Sequence, residues 1–165
     1  MPSQIDYIIT EVEKQNPMHG KKLRKILSSL NEAYKDKAEK ILDKYSNFLR
    51  KQNRDINYGI DCYLKVCNDM TYEIIKFMNT GKYSSTSFEE VNKRVYANPE
   101  IMEYYIHGLF MTQVLWKHRY ILYDFFINTF SKYGKHAQKY LEIGGGHGLF
   151  VSEAIEMLGQ TAQID

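Results

Sequence analysis

Along most of the first 133 positions of this 165-residue chain, apolar residues recur at intervals of three and four, which is the spacing of amphipathic helices. The first stretch, residues 5–12, follows Ser3 and ends before Pro17, so the sequence predicts a short capped helix there. A second apolar stripe over residues 23–49 predicts one long helix. A capping box that starts at Ser29 would divide this helix in two, and both possibilities stay open.

Glycine and asparagine mark where the later helices begin and end. Gly81 follows an apolar helical pattern, and glycine adopts the left-handed C-cap conformation at little cost. Asn98 followed by Pro99 is the combination of an N-cap and a proline at the first helical position. The predicted helices cover residues 56–78, 87–96 and 99–133, the last with a bend near residues 116–118 and an end at Gly134.

The pattern changes after residue 134. A short apolar run predicts a strand, a glycine-rich segment predicts a turn, and helical spacing then returns before the start of a second strand. These elements lie at residues 139–143, 144–148, 149–158 and 161–165. We therefore predict a mainly α chain, with a helical N-terminal domain at residues 1–134 and the start of an α/β domain at residues 135–165.

Charge and composition exclude several classes of protein. Lys and Arg number 22 and Asp and Glu 20, so the net charge of +2 gives no support for a nucleic-acid or membrane surface. Polar residues interrupt the most apolar stretch, residues 106–130, and the N-terminus lacks the pattern of a secretory signal, so a cytoplasmic protein is expected. Cys62 and Cys67 have the spacing of neither a redox pair nor a zinc site, and no metal site is expected.

The glycine-rich segment has the features of a nucleotide-binding loop. A strand that feeds a helix through glycines brings bare backbone close to a ligand, and free amides at the helix N-terminus favour polar or negative groups. No lysine lies between Ile143 and Asp165, which excludes an ATP- or GTP-binding loop of the Walker type. The match to the dinucleotide-binding fingerprint G-x-G-x-x-G is weak, because its third glycine would fall at position 149, which is leucine.

Glu142-x-Gly144-x-Gly146-x-Gly148 resembles motif I of the Rossmann-like, class I methyltransferases that use S-adenosyl-L-methionine (SAM). The resemblance implies that the acidic residue organises the loop and the SAM amino group while the glycines pass beneath the methionine part. It also implies a ribose-binding acid, and Asp165 lies roughly 20 residues beyond Gly144, as such acids do. The implied cofactor-binding residues are Glu142, Gly144, Gly145, Gly146, His147, Gly148 and Asp165.

His147 occupies a variable position of this motif. We expect it to be an exposed turn residue rather than a catalytic one. A wider set of side chains on the aromatic helices has the chemistry to cover a cofactor or acceptor pocket, although packing in the helical core is the favoured interpretation. These residues are Tyr104, Tyr105, His107, Met111, Trp116 and His118.

The resemblance implies a SAM-dependent methyltransferase that acts on a small-molecule acceptor. Its catalytic residues are unknown and are expected downstream of Asp165. A class I domain needs a full sheet, and residues 135–165 supply only the beginning of one. We therefore expect an N-terminal fragment that is inactive by itself. The helical section is loosely similar to the dimerising, substrate-covering domains of small-molecule O-methyltransferases, which implies a homodimer.

A different class of function also fits the pattern. In this alternative the chain is a helical dimerisation or partner-binding module without catalysis, and the glycine turn is only a linker.

Overall fold

The computed structural model describes residues 3–134, 136–158 and 163–164, and it is mainly helical. Within these residues the α-helices are α1 (Gln4–Gln15), α2 (Pro17–Ser28), α3 (Glu32–Lys51), α4 (Ile56–Thr80), α5 (Phe88–Val91), α6 (Pro99–Leu115), α7 (Lys117–Tyr133) and α8 (Leu149–Leu158). A π-helical turn over Asn92–Tyr96 continues α5. None of these helices is long and apolar enough to cross a membrane.

Side-chain caps explain where several helices begin. The Ser3 side chain accepts a hydrogen bond from the Asp6 amide, and the Asn98 side chain accepts hydrogen bonds from the first turn of α6. Both predicted helix starts are confirmed. Gly81 ends α4 with φ at 68°, the left-handed C-cap that the sequence predicts.

The apolar stripe over residues 23–49 forms two helices, so the prediction of one long helix is wrong. The break falls where the capping-box alternative places it, but the cap is Asn31, whose side chain accepts a 2.9 Å hydrogen bond from the Tyr34 amide. Ser29 instead donates from its hydroxyl to the Ile26 carbonyl, which closes the end of α2.

The aromatic helices also divide, at Trp116. Its backbone is extended, with φ at −109° and ψ at 116°, and it separates α6 from α7. The bend predicted near residues 116–118 is confirmed.

The hydrophobic core is centred on the packing of α4 against α6. Gly108 lies at their closest approach, where a Cβ atom would sit 2.5 Å from Val66 Cγ2 and 2.7 Å from the Cys62 carbonyl oxygen. The largest fully buried side chains of the described residues include Tyr63, Ile8, Leu42, Leu49, Ile60, Met111 and Leu115. The same core extends to Leu149, so the start of α8 packs against the helices that precede it.

Two short strands flank α8. Strand β1 (Lys139–Tyr140) pairs in parallel with β2 (Gln163–Ile164), with Lys139 opposite Gln163. The predicted strand over residues 139–143 is therefore too long. Leu141 and Ile143 are 68% and 89% exposed, because the parallel pairing ends at Tyr140. The parallel pair is joined through a helix, as parallel strands require.

Candidate glycine-loop site

The segment between β1 and α8, residues 144–148, is called the glycine loop here. Gly144, Gly146 and Gly148 have φ at 74°, 52° and 73°, whereas Gly145 has no positive φ. Residues with a Cβ atom rarely adopt these left-handed conformations. The alternating glycines of the sequence motif are thus the positions at which the backbone needs glycine.

The outer side of the glycine loop is open. A Cβ atom at Gly144 would meet nothing within 4 Å, and one at Gly148 would meet only Val151 Cγ1 at 4.0 Å. At Gly146 the nearest atom would be the Gly144 carbonyl oxygen, at 3.6 Å. Conformation rather than crowding therefore accounts for these glycines.

Glu142 lies beside this loop and is held by the end of β1. Its Oε2 atom accepts a 2.8 Å hydrogen bond from the Tyr140 hydroxyl. Burial, together with this hydrogen bond, raises the pKa of Tyr140 to about 12, so the phenol stays protonated and donates. The Oε1 atom would lie 3.4 Å from a Cβ atom at Gly145, which places the carboxylate against the loop backbone.

His147 is partly buried, so the expectation of an exposed turn residue is wrong. Its ring packs edge-on to Phe110 and stacks on Phe150, with centroids 5.7 and 6.0 Å away. Its Nδ1 atom accepts a 3.2 Å hydrogen bond from the Leu149 amide. Burial lowers the pKa of His147, and the positive charge of Arg119 lowers it further, so the neutral ring is favoured.

A cavity of about 310 Å³ lies next to His147, between α3, α6 and the start of α8. We call it the seam cavity. Its walls include Tyr45 and Phe48 of α3, His107 and Phe110 of α6, and His147 and Leu149. Of the glycines in the loop, Gly148 lines the seam cavity. The cavity lining does not include Glu142, Gly144, Gly145 or Gly146. The structure thus places the C-terminal end of the glycine loop, but not the whole predicted motif, at this cavity.

His107 is the second histidine of the seam cavity and is 7% exposed. Its Nδ1 atom lies 2.8 Å from the Tyr45 hydroxyl, and the Tyr58 ring packs edge-on against it with centroids 5.0 Å apart. Burial lowers the pKa of His107.

The other aromatic-helix residues that the sequence suggested as a cover for a ligand pocket do not line the seam cavity. Met111 is fully buried in the core, as expected for helix packing. Tyr104 and Tyr105 line a groove beside α4, and Trp116 and His118 line a separate cavity. Of the six candidates, His107 is the one that the seam cavity includes.

The contribution of α3 to this site could not be predicted from the sequence. Tyr45 and Phe48 lie about a hundred positions before His147, and their apolar spacing indicates only a helix face. Asp165, the predicted ribose-binding residue, lies outside the described residues. Among the described residues, no group of three His, Cys, Asp or Glu side chains is placed to hold a metal ion.

Comparison with known proteins identifies no relative. No family model matches the chain, and neither a curated protein nor a solved structure matches it.

Proposed function

We propose that the glycine loop binds SAM, as part of a class I, Rossmann-like methyltransferase that transfers the methyl group to a small-molecule acceptor. The observation that carries the proposal is the conformation of the loop. Gly144, Gly146 and Gly148 have left-handed φ values, and their outer side is open. Such a loop between a parallel strand and a helix lets a ligand approach the backbone more closely than any side chain would allow.

The surroundings of the loop suit the amino-acid end of SAM. The N-terminus of α8 carries a partial positive charge, which favours the carboxylate of the methionine part. Glu142 supplies the opposite charge beside Gly145, where its Oε1 atom is suited to accept from the SAM ammonium group. Tyr140 holds the other carboxylate oxygen and so fixes the side chain.

Methyl transfer needs little covalent help from the protein. A nucleophilic atom of the acceptor attacks the methyl carbon, and the carbon–sulfur bond breaks with its electron pair on sulfur. Because SAM is already activated, the main task of the protein is to align the acceptor with the methyl group. The seam cavity, which Gly148 of the loop lines, would align the acceptor, and the catalytic residues are unknown.

Calorimetric titration of SAM into the full-length protein tests the proposal. We expect saturable binding that Gly146→Val abolishes, because valine cannot adopt φ near 52° without strain. Gly81→Val is the matched control, since Gly81 also has a left-handed φ, at 68°, but ends α4 outside the glycine loop, and it should keep the affinity. The absence of heat at millimolar SAM, or equal affinity in Gly146→Val, would refute the proposal.

A second candidate function, homodimerisation through the helical section, is favoured by the second half of α4. Apolar side chains there are between 42% and 77% exposed, and large exposed apolar patches mark interaction sites. These residues are Met70, Tyr72, Ile74, Ile75, Phe77 and Met78. We propose that the side of α4 that carries Met70, Ile74, Phe77 and Met78, spaced by three and four residues, pairs with a second copy of the chain.

Light scattering over a range of protein concentrations tests the dimer. We expect Met78→Asp to shift the protein towards monomer, because a carboxylate would be buried in the paired face. Met18→Asp is the matched control, since Met18 is 84% exposed at the start of α2. A monomer at every concentration, or an equal effect of both substitutions, would contradict the dimer.

A further inference from the structure

The seam cavity has apolar walls suited to a flat ligand. Phe110 stacks on Tyr45 with centroids 4.2 Å apart, and Phe48 and Leu149 add further apolar surface. The cavity volume of about 310 Å³ is within the range of small-molecule sites. Its polar groups therefore decide which flat molecules fit.

Hydrogen bonding fixes the proton position of His147. Its Nδ1 atom accepts from the Leu149 amide, so that nitrogen carries no hydrogen in the neutral ring. The proton is then on Nε2, which has no hydrogen-bond partner among the described residues and is not sealed inside the protein. His147 thus offers one N–H donor.

Hydrogen bonding also fixes the proton position of His107. Burial raises the pKa of Tyr45, so its hydroxyl keeps its hydrogen, and buried hydroxyl hydrogens need an acceptor. His107 Nδ1, at 2.8 Å, is that acceptor within the described part of the chain. The proton of the neutral imidazole is therefore on Nε2, and His107 also offers a donor.

The charge near the cavity does not favour an anion. Lys44 lines the cavity, but its ammonium group already lies 2.8 Å from carboxylate oxygens of both Glu153 and Glu156. Two carboxylates against one ammonium group leave no uncompensated positive charge there. Arg119, whose charge lowers the pKa of His147, does not line the cavity. Both imidazoles are neutral, so the lining residues offer hydrogen-bond donors without net positive charge.

We propose that the seam cavity binds a neutral, planar aromatic compound of one or two fused rings, whose carbonyl or ether oxygen accepts hydrogen bonds from His107 and His147. The aromatic walls hold the rings, and the two Nε2–H groups select for an acceptor oxygen. The cavity adjoins Gly148 of the glycine loop. A role of this ligand as methyl acceptor needs a hydroxyl or amine substituent that attacks the methyl carbon and releases its proton, and it depends on the proposed function, whereas binding of the ligand does not.

Nuclear magnetic resonance of the protein with ¹⁵N-labelled histidine tests this inference without SAM. The probes are chromone, which is planar and neutral with two acceptor oxygens, naphthalene, which has the same shape without them, and the anion chromone-2-carboxylate. We expect chromone to shift the Nε2 signals of His107 and His147 and to bind more tightly than both other probes. Equal binding of naphthalene, tighter binding of the anion, or no shift with millimolar chromone would overturn the inference.

Two matched variants locate the binding. His147→Phe keeps an aromatic ring but removes the donor, and we expect chromone to bind about 2- to 10-fold more weakly, the effect of one lost hydrogen bond. His118→Phe is the control, because His118 lines a different cavity, and it should bind chromone as the wild type does. Unchanged affinity in a folded His147→Phe would count against the proposal, and the comparison of probes in the wild type decides the case if that variant unfolds. Chromone binding in a protein that does not bind SAM would leave the cavity assignment intact and remove the methyl-acceptor role.

Discussion

The Nδ1 atom of His147 accepts a hydrogen bond from the Leu149 amide at 3.2 Å, so a histidine within the glycine loop caps the helix that follows. The neutral ring is needed for this contact, because a protonated Nδ1 has no lone pair to accept with. The loop conformation and the start of α8 are thereby coupled to the protonation of one side chain.

This coupling predicts a loss of stability in mild acid. Burial lowers the pKa values of His147, His107 and His19 in the folded protein below the ordinary value near 6.5. The unfolded chain then binds more protons than the folded one, so the free energy of unfolding falls as the pH falls through about 6.5. Urea unfolding at pH 7.5 and pH 5.5 should show the decrease. The decrease in the free energy of unfolding should be smaller in His147→Gln than in the wild type. The control His136→Gln changes an exposed histidine and should show the same decrease as the wild type. Equal stability of the wild type at both pH values would contradict the prediction.

The glycines of the loop should differ in their tolerance of alanine. Gly144, Gly146 and Gly148 have positive φ, and alanine there should lower the free energy of unfolding by about 1 kcal/mol. Gly145→Ala should cost clearly less, because Gly145 has no positive φ. Denaturant unfolding of the four variants measures the difference. A Gly145→Ala variant as unstable as the other three would show that the loop adopts another conformation.

Lys44 links α3 to α8, and its removal should loosen this contact. Lys44→Met leaves Glu153, which has a side chain only 12% exposed, without its cation. We expect a loss of about 1 kcal/mol in the free energy of unfolding, and a smaller loss at high salt. Lys35→Met is the control, because Lys35 pairs with Glu32 at the surface and should matter little. Equal effects of the two substitutions in urea unfolding would argue against the link.

The contact of α4 with α6 should be intolerant of one added methyl group. In Gly108→Ala the new Cβ atom would overlap Val66 Cγ2 and the Cys62 carbonyl oxygen. We expect a loss of about 1–3 kcal/mol from overpacking. Asn68→Ala, on the exposed side of α4, should be close to neutral. Thermal unfolding compares the two, and a Gly108→Ala variant as stable as the wild type would mean that the helices are further apart.

Helix ends were predictable where the signal is local. Ser3, Gly81 and Asn98 act within a few residues of themselves, so their effect can be inferred from the sequence. The break before α3 was harder to assign, because Ser29 and Asn31 are both residue types that cap helices and only the backbone decides between them.

The candidate site was predictable only in part. The alternating glycines indicated the loop, since left-handed backbone needs glycine. The length of β1 depends on its pairing with β2, and the seam cavity depends on α3 and α6 meeting α8. Such contacts between distant positions leave no mark in local spacing. The burial of His147 was missed for the same reason, because Phe110 comes from another helix.

SAM binding at the glycine loop is tested most directly by nuclear magnetic resonance, by following the backbone amide resonances of the full-length protein while SAM is added. If SAM binds at the glycine loop, the amides of residues 144–149 should show the largest shifts, and these should saturate with the same dissociation constant as the calorimetric heat. Saturable shifts confined to other parts of the protein, or no shift at millimolar SAM, would contradict the account.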